Sequence, residues 1–361
     1  MNNQAKIGAA AVVLLGAVGA AFYAQQEEKK EDARVSAGSA SGGSMPEFKL
    51  PADDVEKVTK LVIKNADKPE VTLEKQGDKW MVTQPVTYAA NQQNVKSLLD
   101  NLKELKAKDA IDKSAATYAD YGVDDAKATH VVAYKGGDKA VDLYFGKSGG
   151  RGQMARKAGT DGVFAVSGFS SYLYAREVKA WRDTAIVKFD DAAATKVDLT
   201  NENGTFVFTK EGEAWTGKMA KAGDKADKLA PIERFDEAKV KDMLRAYKGL
   251  AADDFADGKS DADTGLDKPA ASVVITLKEG APIKLDVGKV SSGENRYLRH
   301  EGDKQTYVVS SWAAGWAVAK ADKFQKAEEK KADDKDKKGD DKKADDKKGA
   351  DDKKKDEKKK P

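Results

Sequence analysis

The chain has 361 residues, 64 of them basic and 61 acidic, for a net charge of +3, and it contains no cysteine. That length leaves room for two domains plus appendages. The missing thiol excludes disulfide staples, thiolate nucleophiles and Cys-ligated metals, and the even charge balance offers no basic face for nucleic acid.

Residues 1–6 form a short flank, and Ile7 to Ala24 then runs without a charge. As a helix that run would span about 27 Å, against a bilayer core of about 30 Å, so 7–24 is expected to be a single transmembrane anchor. The rival reading is a signal peptide cleaved near Gly19-Ala20-Ala21. Lys6 precedes the span while Lys29, Lys30 and Arg34 follow it, so counting basic residues does not orient it. The hydrophilic domains behind it point to export. The expected location is the bacterial inner membrane with the domains on the periplasmic side, the alternative being secretion. Residues 25–52 hold Glu27-Glu28-Lys29-Lys30-Glu31-Asp32 and a Ser/Gly/Ala run, which reads as a flexible tether.

From Asp53 onward the chain says the same thing twice, about 140 residues apart. Trp80 answers to Trp215, Gly122 to Gly265, Gly146-Lys147 to Gly288-Lys289 and Arg156 to Arg299. So long a spacing is a duplicated domain and not a solenoid period. The expected bounds are 53–185 and 186–325. Leu61-Val62-Ile63 and Val197-Asp198-Leu199 each open a strand, and Val71-Thr72-Leu73 and Phe206-Val207-Phe208 alternate as half-buried strands do. Turn residues Gln76-Gly77-Asp78 and Glu211-Gly212-Glu213 lead to the two tryptophans. Val95, Leu98, Leu99, Leu102 and Leu105 share one helical face, and Val240, Met243, Leu244, Tyr247 and Leu250 repeat it at constant offset.

The second half of each copy is strand-rich. Thr129-His130-Val131-Val132-Ala133-Tyr134 is matched with Ser272-Val273-Val274-Ile275-Thr276-Leu277, and Val141, Leu143 and Phe145 with Ile283, Leu285 and Val287. Short strands around Met154 and Phe164, and around Tyr297 and Tyr307, follow. A helical turn then sets Phe169 and Leu173 opposite Trp312 and Trp316. The copies diverge where Lys218–Pro231 lengthens the second, as a surface excursion, and where Trp181-Arg182-Asp183 ends only the first. The short Gly- and Asp-containing links favour antiparallel pairing. The fold class is therefore α+β: two tandem duplicated domains, each a mainly antiparallel sheet with one amphipathic helix, behind an N-terminal transmembrane helix. Residues 326–361 are Lys, Asp and Glu with some Ala and Gly, ending in a proline, and have no apolar period, the composition of a disordered tail.

Features that resemble chemistry mostly fail on spacing. Gly146-Lys147-Ser148 lacks the glycine of a phosphate loop, since Val141 stands there, and reads as a hairpin loop. His130 and His300 fall in non-equivalent elements without a second ligand, which leaves no zinc set. The acidic run from Asp253 has Phe255 and Thr264 where a calcium loop needs ligands. Asn203-Gly204-Thr205 is a sequon only in a glycosylating host. Arg156 and Arg299 could hold an anion, but the favoured role is to bridge a carboxylate of their own domain. No catalytic, cofactor-binding or metal residue is therefore assigned, no cofactor is expected, and the chain is not read as an enzyme.

The stretch ending in Trp80 with Gln84-Pro85, the helix Asn94–Leu105, Tyr121-Gly122-Val123-Asp124 with Thr264-Gly265-Leu266-Asp267-Lys268-Pro269, Leu143-Tyr144-Phe145-Gly146-Lys147 and Trp181-Arg182-Asp183 together resemble the uncharacterised domain-of-unknown-function family 4340. The resemblance covers most of Asp53–Lys323 as two tandem copies, departing where Asp124-Asp125-Ala126 lacks the proline found at Pro269. It implies a membrane segment and an envelope accessory role by association, auxiliary to an ABC-type transporter or a motility complex, and supplies no catalytic residues. The leading expectation is thus a non-catalytic membrane-tethered scaffold with envelope protein partners. The alternative is a ligand-binding module using a cleft between the repeats. A hydrolase with an unrecognised site comes third.

Overall fold

The computed structural model describes residues 45–224 and 228–327. The expected anchor at 7–24, most of the tether and the tail lie outside the described residues, among which no helix is long and apolar enough to cross a membrane.

The first unit contains β1 (Val58–Asn65), β2 (Lys68–Gln76), β3 (Lys79–Gln84), β4 (Tyr88–Ala89) and β5 (Lys106–Asp112). It continues with β6 (Thr129–Lys135), β7 (Asp138–Gly149), β8 (Gly152–Lys157) and β9 (Val163–Ser167). The second unit has β10 (Ala194–Asn201), β11 (Gly204–Glu211), β12 (Ala214–Lys221), β13 (Ala230–Pro231) and β14 (Asp254–Phe255). Then come β15 (Ala271–Leu277), β16 (Ile283–Ser292), β17 (Asn295–His300) and β18 (Tyr307–Val309). Each unit is one nine-stranded sheet. The orders are β4-β3-β2-β1-β6-β7-β8-β9-β5 and β13-β12-β11-β10-β15-β16-β17-β18-β14, the same path traced twice. Pairing is antiparallel in both, as the short glycine turns dictate.

Alternation along the strands decides what is buried. Leu61, Ile63, Val71, Leu73, Val131 and Leu143 face one side, and the helix Gln92–Glu104 lays Val95, Leu98, Leu99 and Leu102 over them. Each such fully buried side chain contributes roughly 1.5–3 kcal/mol. Asn91 caps that helix by accepting from the Asn94 N–H at 3.0 Å. In the second unit Asp236 caps Glu237–Tyr247 by accepting from Ala238, and Val240, Met243, Leu244 and Tyr247 are buried. The first helical turn also binds the neighbouring tryptophan. Gln92 Oε1 accepts from the Trp80 N–H at 2.9 Å, and Glu237 Oε2 from the Trp215 N–H at 3.1 Å.

Several expectations change. The first core reaches back into the supposed tether, because Phe48 and Leu50 are fully buried, Leu50 N–H donates to Leu102 at 2.9 Å, and the Phe48 ring meets Phe164 edge-on. Two apolar residues in a polar stretch were enough to dock it. Secondly, Leu61 pairs with Ala133 and its counterpart Val197 with Ile275, so His130 corresponds to Ser272 and not to Val273. A one-residue slip exchanges the two faces of a strand, and the buried Val131 and Val273 fix the correct match.

Thirdly, Gly146-Lys147 and Gly288-Lys289 are not hairpin loops. They lie inside β7 and β16, where the register shifts between Phe145 and Ser148 and between Val287 and Val290. The backbone of the preceding turn crosses there: a Cβ on Gly146 would sit 2.2 Å from the Tyr121 carbonyl oxygen, and one on Gly288 2.1 Å from that of Thr264. The crossing turns end at Gly122 (φ 68) and Gly265 (φ 71), left-handed positions that favour glycine. All four recurring glycines thus have one structural cause. Finally, the 218–231 excursion is partly sheet: Lys218 and Met219 remain in β12 and pair with Pro231 and Ala230.

The second unit also has its own counterpart of Trp181-Arg182-Asp183. Asn91 N–H donates to the Trp181 carbonyl at 2.8 Å and Asp183 N–H to Ala89 at 2.8 Å. In the second unit, Asp236 donates to Phe324 at 2.9 Å and Lys326 to Arg234 at 2.8 Å. Phe324-Gln325-Lys326 therefore closes the second sheet, with Phe324 as buried as Trp181.

Candidate functional site at the junction of the two sheets

Where the first unit passes into the second, the chain ends a short 3-10 turn, Val178–Trp181, and becomes extended at Arg182 (φ −93, ψ 150). Extended residues alternate sides. Trp181 enters the first core while Arg182, 2% exposed, enters the junction. Its Nη1 donates to Asp257 Oδ2 at 2.6 Å and its Nη2 to Gln305 Oε1 at 3.0 Å. The guanidinium centre lies 3.5 Å from the Phe255 ring centroid and 4.4 Å from that of Tyr88, so the cation is stacked between an aromatic of each unit.

Tyr88 comes from the edge strand β4, which pairs with β3 over only two residues, and it reaches the second unit. Its hydroxyl is 3.2 Å from the Tyr307 hydroxyl, and its ring meets Phe255 edge-on at 5.3 Å. Tyr307 donates to Asp303 at 2.9 Å. Burial, with the bonds to Tyr88 and Asp303, pushes its hydroxyl far above the usual phenol range, so it acts as a neutral hydrogen-bonding group. On the rim Lys179 meets Asp254 at 3.1 Å, both about half exposed and worth little. The guanidinium fork is already engaged by protein groups, and the cluster clasps one unit to the other.

Two cavities flank the clasp. One, of about 450 Å³, runs beneath the connection Asp183–Asp191 against Lys248–Ala251 and is mostly apolar. The other, of about 350 Å³, brings Lys179 of the first unit together with Asp253, Asp254, Ser291, Asn295 and Tyr297 of the second and is mainly polar.

The residues singled out in the sequence lie elsewhere. Arg156 Nε donates to the Val123 carbonyl at 2.6 Å, Nη2 pairs with Asp125, and the guanidinium stacks 3.4 Å from the Tyr144 ring. Arg299 grips Asp261 with both Nη atoms, at 2.9 and 2.5 Å, and donates to Thr306. That bond holds the Asp261 carboxyl below its usual range and raises Arg299. Both arginines thus bridge carboxylates of their own units. His130 stacks flat on Tyr144 at 3.9 Å and its Nε2 is 2.7 Å from Asp142 Oδ1. Burial raises the Asp142 carboxyl, but bonds to Lys139 and His130 outweigh it and leave it below the usual range. His300 lies 3.5 Å from Asp303, and among the described residues no group of three or more His, Asp or Glu could hold a metal ion. The acidic stretch after Asp253 is used in the clasp, in the Asp261 pair and in the capping box of Ser260 with Asp263. Asn203 turns its amide onto the Val318 and Ala319 carbonyls.

Sequence reasoning missed Tyr88, Phe255, Asp257, Gln305 and Tyr307. The only signal was that Trp181-Arg182-Asp183 occurs once, which marked one side of the contact and not the other.

A family model described as Domain of unknown function (DUF4340) matches residues 80–269, just over half of the chain. The matched span crosses the junction as one piece, from Trp80 in β3 to Pro269 ahead of β15, and includes Tyr88, Arg182, Phe255 and Asp257. No curated protein matches the chain.

Proposed function

Because the chain belongs to the family described as Domain of unknown function (DUF4340), which brings no assigned activity, we propose its role from its geometry: a non-catalytic scaffold that presents two sheets in fixed relation. The observation that carries this reading is the clasp, in which one buried arginine binds Asp257 and Gln305 and stacks on Phe255 and Tyr88. A scaffold needs constant spacing between its contact surfaces, and a buried charge satisfied on two sides supplies it. The apolar run Ile7–Ala24 would tether this rigid pair to an envelope membrane, leaving both units to face partner proteins such as transporter subunits. Cross-linking and co-purification of the full chain from native membranes tests it. Partner recovery should fall when Arg182→Ala loosens the clasp; a chain recovered alone from mild detergent at native expression would defeat the reading.

A specific observation also favours a ligand-binding role. The polar cleft of about 350 Å³ is lined from both units, with Lys179 on one side and Asp253, Asn295 and Tyr297 on the other. Thermal-shift measurements against sugars, peptides and anions test it, and a flat response across the panel removes it.

A further inference from the structure

The two units share a path but differ sharply at one place, the crossing of the glycine turn over the bulged strand. In the first unit Gln153 is 7% exposed and closes the crossing: its Nε2 donates to the Gly146 carbonyl at 2.6 Å, and Ser148 donates to its Oε1 at 2.6 Å. Nearby Asp125 is spent on Arg156. In the second unit three substitutions fall on these positions together. The place of Gln153 is taken by Arg296, that of Ser148 by Val290 and that of Asp125 by Lys268. Arg299, freed from that partner, pairs with Asp261 instead.

The result is a cavity of about 690 Å³, lined by Lys268, Lys289, Arg296, Val290, Asp267 and Ala270 among others. Arg296 is half-buried, and its Nη1 donates to the Gly288 carbonyl at 3.0 Å, which holds the guanidinium at the site. Lys268, Lys289 and Arg296 form no ion pair among the described residues. The nearby acids are Asp267 and Asp263; Asp263 accepts from the Ser260 N–H and its charge also acts on Lys289. Val290, an exposed hydrophobic at 48%, lies on the rim. We infer that this cleft is a binding site for an organic phosphate, its charged head held by Lys268, Lys289 and Arg296 and its apolar body against Val290 and Ala270. Three cations against two carboxylates leave the cleft positive, and a guanidinium fork with two ammonium groups can engage the several oxygens of a phosphate head. The volume is that of a site for an organic molecule and far exceeds what a bare ion needs.

Titration calorimetry of the full chain with n-hexyl phosphate, inorganic phosphate and hexanol tests this. Hexyl phosphate should bind saturably, and the other two at least tenfold more weakly. The pair R296Q and K268D, which restores the residues of the first unit, should weaken hexyl phosphate at least tenfold while the thermal midpoint of the protein holds. If the pair unfolds the second unit, K268D alone, at an exposed bend, carries the same comparison. Absent saturation at millimolar hexyl phosphate, equal affinity for inorganic phosphate, or binding indifferent to K268D would each overturn the assignment. Flotation of the chain lacking residues 1–44 with phosphatidylglycerol vesicles, compared with phosphatidylcholine vesicles, separates a lipid headgroup from a soluble ester as the source.

Discussion

Truncating Arg182 to alanine tests whether the junction is a single cooperative structure. The stacking on Phe255 at 3.5 Å and Tyr88 at 4.4 Å is worth about 1–2 kcal/mol in so buried a place. The bonds to Asp257 and Gln305 add about 1 kcal/mol each, discounted because Asp257 is 43% exposed and regains water when released. Against this, the buried Arg182 Nε has no hydrogen-bond partner, a cost of about 1 kcal/mol that truncation relieves. The net loss is about 2–3 kcal/mol. Arg182→Met keeps a stem between the two rings and discards the desolvated charge, so it should lose less than about 1 kcal/mol. Scanning calorimetry reads both. Wild type should melt in one transition; Arg182→Ala should split it, with the earlier transition some 5–10 °C lower. Coincident, unshifted transitions in the alanine variant would refute the reasoning, and so would a methionine variant as damaged as the alanine one.

Gly288→Ala should lower stability by at least about 2 kcal/mol, because its Cβ would collide with the Thr264 carbonyl, whereas Gly137→Ala, with open space around it, should stay within about 0.5 kcal/mol; urea midpoints decide. Asp142 titrates lower in the folded chain than its ordinary 3.8, so its stabilisation is complete above that value and drains away as pH falls through the folded value. Asp142→Asn should therefore flatten the acid side of a stability profile recorded from pH 6 to 2.5. Removing residues 328–361 should leave the melting of the second unit unchanged, while removing 324–361 takes the Phe324 ring from Phe206, Phe208 and Trp316 and should cost about 3–5 kcal/mol. Circular dichroism melts of the two truncations check it.

Much of each sheet was legible because burial imposes periods on sequence. Val95 to Leu102 and Val240 to Tyr247 announce helices, and Val71-Thr72-Leu73 and Phe206-Val207-Phe208 announce strands, all at the positions observed. What failed lacks such a period. Matching Thr129-His130 with Ser272-Val273 cost one residue of register, since runs of consecutive β-branched residues look alike from either face. Gly146-Lys147 suggested a turn because glycine marks both turns and close backbone approaches, and only the Tyr121 carbonyl tells which. Phe324 was not matched to Trp181, since a core needs volume and not identity. The clasp was the least visible: Tyr88, Arg182, Asp257 and Tyr307 are far apart in the chain, and only folding makes them neighbours.

One detail of the connection bears on motion. Asp183 N–H is still bonded to Ala89 of the first sheet, while Thr184 already accepts from Ala252 of the second and Ala185 bridges to Ala251. The chain thus passes from the hydrogen bonding of one sheet to that of the other within two residues, which leaves little free backbone to absorb rotation of one against the other. A pull applied to either half is felt by the other across only two residues, so the pair should turn together in solution.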